Sequence, residues 1–286
     1  MISTEIEFFK PSSVAEALGL LAEHGDEVTI LSGGMSLLPM MNLGLATPER
    51  VLSLNGIDDL RYIRDDGDAL VIGARTRHVD VGRDPRVRQH APLLAESATR
   101  IGDVQVRNRG TIGGSISHAD PSADYLPALT AAGASIRLER ASTSPRELAV
   151  GEFFVDLMYT SRQPEELLTA VRVPKIGPGA GSAYIRFARV EGSFAIVNAA
   201  AVVRAPGRPA TLGMGGIATT PVLLDITEQG RDGWDEGALE AIGDLAFEAS
   251  SGASGDAMSD AEYKREMARV HARRVVRLAA QRLDAA

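Results

Sequence analysis

The chain has 286 residues, of which 44% are hydrophobic and only 5% aromatic, with a formal net charge of -8 and a pI near 5.2. That length suits two or three small lobes with cores of Ala, Val, Leu and Ile, and the acidic balance argues against general nucleic-acid binding because nothing offsets phosphate repulsion. With no cysteine, the chain can hold neither a disulfide nor a Cys-ligated iron–sulfur cluster. No stretch reaches the roughly 18 apolar residues of a membrane span. Met1-Ile2-Ser3-Thr4-Glu5 lacks the basic-then-apolar layout of a secretory leader, so the expected compartment is the cytoplasm.

In chain order, Ser13-Val14-Ala15-Glu16 reads as a capping box, with Glu16 reaching back to the cap amide. Ala17, Leu18, Leu20 and Leu21 follow at helical spacing, and Gly25 closes the segment. Residues 28–31 read as a buried strand that runs into Gly33-Gly34. Residues 51–54 read as a second strand, and residues 60–64 and 69–73 as a hairpin across Asp65-Asp66-Gly67-Asp68. That acidic run resembles a cation loop but lacks the later Glu of an EF-hand, so a polar turn is expected. A helix is expected over 93–99. A polar, Arg-rich stretch over 105–110 then leads into Thr111-Ile112-Gly113-Gly114-Ser115. A helix over 125–132 and a strand over 167–173 follow. Gly177-Pro178-Gly179-Ala180-Gly181 reads as a linker. Beyond it, three strands (182–189, 194–204, 210–217) precede two helices (236–249, 260–283). The last helix is basic, through Lys264, Arg265, Arg269, Arg273, Arg274, Arg277 and Arg282. A solvated face is the expectation, and a docking face for an acidic partner is the other reading.

Two segments carry the chemistry. Leu31-Ser32-Gly33-Gly34-Met35-Ser36-Leu37 and Thr111-Ile112-Gly113-Gly114-Ser115 each join two glycines to hydroxyl side chains. Glycine removes the Cβ, so backbone amides can approach a phosphate closely, and Ser and Thr add donors. Two such loops could grip a pyrophosphate from both sides. Neither is a standard nucleotide signature: no Gly-x-Gly-x-x-Gly follows Ile30, and no Lys completes a Walker loop. The spacing alone leaves a tight turn and a phosphate cradle both open. The five histidines (His24, His78, His90, His118, His271) show no metal-ligand spacing. Only His118 falls within the second segment's continuation, and a base must also sit within reach of a proton.

Residues 111–124, TIGGSISHADPSAD, closely resemble the central FAD motif of the flavoprotein subunits in the xanthine dehydrogenase and carbon monoxide dehydrogenase family. Residues 32–37 resemble that family's first FAD motif. The likeness continues through Gln105 to Arg109, Phe153-Phe154, residues 165–174 and Arg186-Phe187-Ala188-Arg189 to Val197. The resemblance implies an α+β chain with a vanillyl-alcohol-oxidase (PCMH)-type FAD-binding fold over residues 1–177. Its two α/β lobes would span about 1–57 and 58–177, and a C-terminal lobe of a small antiparallel sheet with helices would span 178–286.

The resemblance also assigns roles. Residues Ser32 to Ser36 and Thr111 to Ser115 match the pyrophosphate-binding segments, and Leu31 and Leu37 beside the first count as cofactor-binding residues. Asp124 matches an acidic residue that accepts from ribose hydroxyls or the adenine amine. Ile101, Gly102 and Leu168 match positions packed against the cofactor, and Arg186 lies near a Lys of relatives. Met35 stands where relatives carry Gln, His or Thr, Ser115 stands where Asn is common, and residues 213–221 follow the C-terminal pattern only loosely. Noncovalent FAD is expected, since Cys is absent and Met35 occupies the loop position. The implied function is electron transfer within a molybdenum hydroxylase. A large molybdopterin subunit and a small [2Fe-2S] subunit would be partners, as a dimer of heterotrimers, and no residue here need be a catalytic acid or base. The alternatives are a free-standing flavin oxidoreductase and a non-redox nucleotide-binding module on the same fold.

Overall fold

The computed structural model describes residues 5–284. The N-terminal residues 1–4, read above for a secretory layout, lie outside them, as do residues 285–286. The chain is α+β and builds three main sheets. The first is parallel, with Arg50–Ser53 between Glu7–Phe9 and Val28–Leu31. Helix Val14–His24 links its outer strands. Ser13 caps that helix as expected, but the Glu16 carboxylate takes the amide of Ser12, one residue before the cap, at 2.8 Å.

The second sheet is antiparallel, in the order Ile63–Asp66, Ala69–Gly73, Leu167–Pro174, Ser135–Glu139, Arg146–Ala149. Its central strand arrives from far along the sequence, so the order could not be read locally. The acidic run is a hairpin turn, tighter than expected because the first strand runs on through Asp66. Its carboxylates pair with Lys175 and Arg172. Among the described residues no His, Cys, Asp and Glu cluster could hold a metal.

The third sheet is antiparallel and has four strands, Ala180–Phe187, Val197–Arg204, Thr211–Gly215 and Val222–Asp225, one more than expected. Strand Val197–Arg204 is buried along nearly its whole length because both faces are covered. Ala199, Ala201 and Val203 face the helices Glu236–Ala249 and Ala261–Asp284, whereas Ala200 and Val202 join the core beneath the second sheet's helices. The expected linker holds only over residues 177–179, which lie outside any strand or helix; Gly181 is a strand residue packed so close to the last helix that a Cβ there would strike the Ala279 carbonyl. The basic face of that helix is largely spent inside the chain. Arg273 and Arg277 reach Glu236, Arg269 reaches Asp244, Lys264 reaches Asp256 and Arg282 reaches Glu96. These pairs lie at a partly exposed surface. Among the described residues no helix is long and apolar enough to cross a membrane.

Candidate cofactor site

A cavity of about 840 Å³ opens where the parallel sheet ends, bounded by both glycine segments and by residues 192–194. Its size and largely apolar walls with a few convergent polar groups are those of a small-molecule site. Leu31 to Leu37, Ile101, Gly102, Thr111, Gly113, Gly114, Ser115, Asp124 and Leu168 all line it. Two sequence-predicted residues do not. Ile112 is 0% exposed and belongs to the core, and Arg186 stands behind Asp124.

The first segment is true loop. Residues 32–36 follow strand Val28–Leu31 and precede helix Leu37–Asn42, and Gly34 has a φ of 76°. Among the described residues the amides of Gly33, Gly34, Met35 and Ser36 donate to no protein acceptor. Four consecutive amides without a protein partner, on residues that line a cavity, form a candidate anion cradle. Gly33 is glycine for a steric reason: a Cβ would strike the Arg109 carbonyl and come within 2.7 Å of the Gly110 Cα.

The second segment is not a loop, which corrects the sequence expectation. It does not end a strand either, because helix Val104–Arg109 precedes it. Thr111 is the N-cap of helix Ile112–His118 and accepts the Gly114 amide on Oγ1 at 3.2 Å. The Ile112 amide goes to Thr76 O at 3.0 Å, that of Gly113 to Ala74 O at 2.9 Å, and that of Ser115 to Thr111 O at 3.0 Å. No amide from Ile112 to Ser115 is left for a phosphate. The segment contributes closeness and hydroxyls instead. Gly113 packs on Ala74, where a Cβ would come within 2.6 Å of the Ala74 Cβ. The Thr111 and Ser32 hydroxyls meet at 2.9 Å and join the two segments.

Asp124 is buried, and the Tyr184 hydroxyl donates to its carboxylate. Arg186 Nε is 3.2 Å from Asp124 Oδ1, close enough for ion pairing but not aligned as a hydrogen bond. Burial raises the Asp124 carboxyl above its ordinary range, against the opposing pull of Arg186 and Tyr184. Arg186 also donates to Arg100 O at 2.8 Å and to Ser193 O. It therefore ties the third sheet to the cavity rim. Asp124 thus has a structural commitment besides its place on the cavity wall.

Several lining residues gave no sequence signal. His78, Tyr159, Arg162, Gln163 and Phe194 arrive from distant elements. Arg162 turns inward to the carbonyls of Gln163, Pro164 and Glu166 and so rigidifies its own loop. Helix Val104–Arg109, which borders the cavity through Val106, had a readable cap: Asp103 accepts the Val106 amide at 2.8 Å.

Residues 4–176 match the family described as the FAD binding domain in molybdopterin dehydrogenase. The chain belongs to that family. Residues 182–279 match the CO dehydrogenase flavoprotein C-terminal domain. The carbon monoxide dehydrogenase medium chain of Hydrogenophaga pseudoflava is 37% identical over 276 residues, covering 94% of each chain. Caffeine dehydrogenase subunit beta of Pseudomonas sp. (strain CBB1) is 34% identical over 232 residues, covering 80% of this chain and 79% of that one. A solved structure of carbon monoxide dehydrogenase from Hydrogenophaga pseudoflava, which lacks the Mo-pyranopterin moiety, superposes with a TM-score of 0.92 at 35% identity over 99% of both chains. The fold is thus that of a molybdenum-hydroxylase FAD subunit, as the motif at residues 111–124 implied, and the chain is an oxidoreductase component.

Proposed function

We propose that this chain is the electron-transferring medium subunit of a heteromeric molybdenum hydroxylase and holds FAD noncovalently in the cavity described. The observation that carries the reading is the run of amides without a protein acceptor at Gly33 to Ser36, on residues that line a cavity walled also by Val28, Ile30, Leu167 and Leu168. The amides suit a pyrophosphate, the apolar walls suit a flat ring, and the hydroxyls of Ser32, Ser36 and Thr111 suit the phosphates or ribose. The amides of Gly33 to Ser36 and the hydroxyls of Ser32, Thr111 and Ser115 are assigned to the pyrophosphate, Leu31, Leu37, Ile101, Gly102, Gly113, Gly114 and Leu168 to cofactor packing, Asp124 to the ribose or adenine end, and Arg186 to holding Asp124 and the third sheet at the site. The proposed units are a FAD-binding portion over 1–177, with lobes of about 1–57 and 58–177, and a C-terminal portion over 178–286.

Bound FAD would supply a carrier that exchanges electrons one or two at a time. The chain's own part is to orient it and keep water from its buried end. No side chain is asked to move a proton. With no cysteine in the sequence, any iron–sulfur cluster must sit in a partner chain. A large molybdopterin subunit and a small [2Fe-2S] subunit are the proposed partners, assembled as a dimer of heterotrimers. The test is omission. A complex reconstituted from all three chains should bleach its flavin when the reducing substrate is added and pass electrons to an external acceptor. The same complex made with flavin-free medium chain should retain molybdenum-centre reduction yet lose acceptor turnover. Undiminished turnover without flavin would refute the electron-transfer role.

A further inference from the structure

The cavity wall holds an imidazole that the glycine segments do not account for. His78 opens helix His78–Arg83 and is 4% exposed. Its backbone amide donates to Gly110 O at 3.1 Å, which ties it to the residue before the second glycine segment. Its Nδ1 lies 3.1 Å from the Tyr125 hydroxyl. Tyr125 is 0% exposed, and among the described residues its hydroxyl has no other partner. A buried O–H left without an acceptor is costly, so the tyrosine proton points at Nδ1. Nδ1 is then the acceptor, and the neutral ring carries its own proton on Nε2.

That Nε2–H has no acceptor among the described residues. It borders Gly110, where a Cβ would come within 2.5 Å of it, so only glycine leaves that nitrogen uncovered. The ring lines the cavity beside Gly110, Thr111 and Gly113. Burial, helped by Arg107, lowers the imidazole to about 3, so the ring is a neutral donor at any ordinary working pH. The result is an oriented, uncharged, unspent donor on a residue of the cavity wall.

We infer that His78 is a cofactor-positioning residue whose Nε2–H, fixed in that tautomer by Tyr125, donates to an acceptor oxygen of FAD seated beside Gly110. The inference rests on the FAD reading above. The oxygen belongs either to the pyrophosphate or to the flavin half of the cofactor, and one experiment separates these. Full-length wild-type chain, His78→Phe and His78→Gln are titrated with FAD and, separately, with ADP-ribose. Failure of the wild type to bind FAD would defeat the FAD reading itself. Given wild-type binding, His78→Phe should bind FAD about tenfold more weakly, the worth of one hydrogen bond to a polar acceptor. His78→Gln keeps an N–H and should stay within about threefold. An equal loss for ADP-ribose assigns the acceptor to the pyrophosphate, and an unchanged ADP-ribose affinity assigns it to the flavin half.

A second readout uses only the wild type, in case His78→Phe does not fold. The ¹⁵N imidazole spectrum should show an Nε2-protonated ring whose Nε2 resonance moves when FAD is added. A merely structural histidine would leave that resonance in place. An Nδ1-protonated ring, an unmoved Nε2 resonance, or wild-type FAD affinity in a folded His78→Phe chain would each overturn the inference.

Discussion

The two glycine segments read almost alike in sequence and are opposite in physics. Residues 32–36 are loop, and the amides of Gly33 to Ser36 are free. Residues 111–115 open a helix, and the amides of Ile112 to Ser115 are all bonded within the protein. The first segment offers donors; the second offers a surface without side chains and a pair of hydroxyls. A Gly-Gly pair therefore predicts close approach, not free amides, and only the surrounding backbone decides which a segment provides.

Substitutions in the two segments should have different effects. Gly33→Ala should act most strongly, since its Cβ meets backbone at Arg109 and Gly110 that cannot turn aside. We expect FAD affinity to fall by about a hundredfold, the worth of one hydrogen bond to a charged group, measured by flavin titration. Gly113→Ala should instead act on the fold. Its Cβ meets Ala74, and overpacking of that kind costs about 1–3 kcal/mol, read as a lower apo-protein melting temperature. FAD affinity should change less than in Gly33→Ala, and the reverse ranking would break the contrast. Thr111→Val removes the helix cap and the Ser32 contact. It should cost about 0.5–2 kcal/mol by denaturant unfolding, and Thr111→Ser should restore most of it.

A smaller effect is pH-dependent. Burial raises the Asp124 carboxyl above its ordinary 3.8, so the folded state holds that proton more tightly than the unfolded state. Its stabilising contribution is full below 3.8 and is lost as pH rises through the raised value. The stability of wild type relative to Asp124→Asn should accordingly fall with rising pH across that window and then level off, measured by urea unfolding at stepped pH. Ser115→Asn should do least. The Ser115 amide is already bonded to Thr111 O, and a side-chain exchange there should move FAD affinity by no more than about threefold, less than the worth of one hydrogen bond.

Local chemistry made part of this legible. Ser13 announced its helix, the apolar run at 28–31 announced its strand, and the motif at 111–124 announced the family. What stayed hidden depends on distance or on competition for hydrogen bonds. Nothing near Thr111 reveals that Thr76 and Ala74 take the next two amides. Tyr125 lies 47 residues from His78, so their pairing has no sequence signature. Strand Val222–Asp225 is short and begins just after Pro221, which reads as a turn. The pairing of the basic C-terminal helix could not be read from its own segment because its acidic partners sit on other elements, chiefly the helix Glu236–Ala249.

The most direct test of the account is amide hydrogen exchange on the full chain with and without FAD, resolved at residues 33–36 and 112–115. Exchange at 33–36 should be fast in the apo-protein and should slow markedly on adding FAD. Residues 112–115 should be protected in both states. Equal FAD-induced protection of the two segments, or none at 33–36, would contradict it.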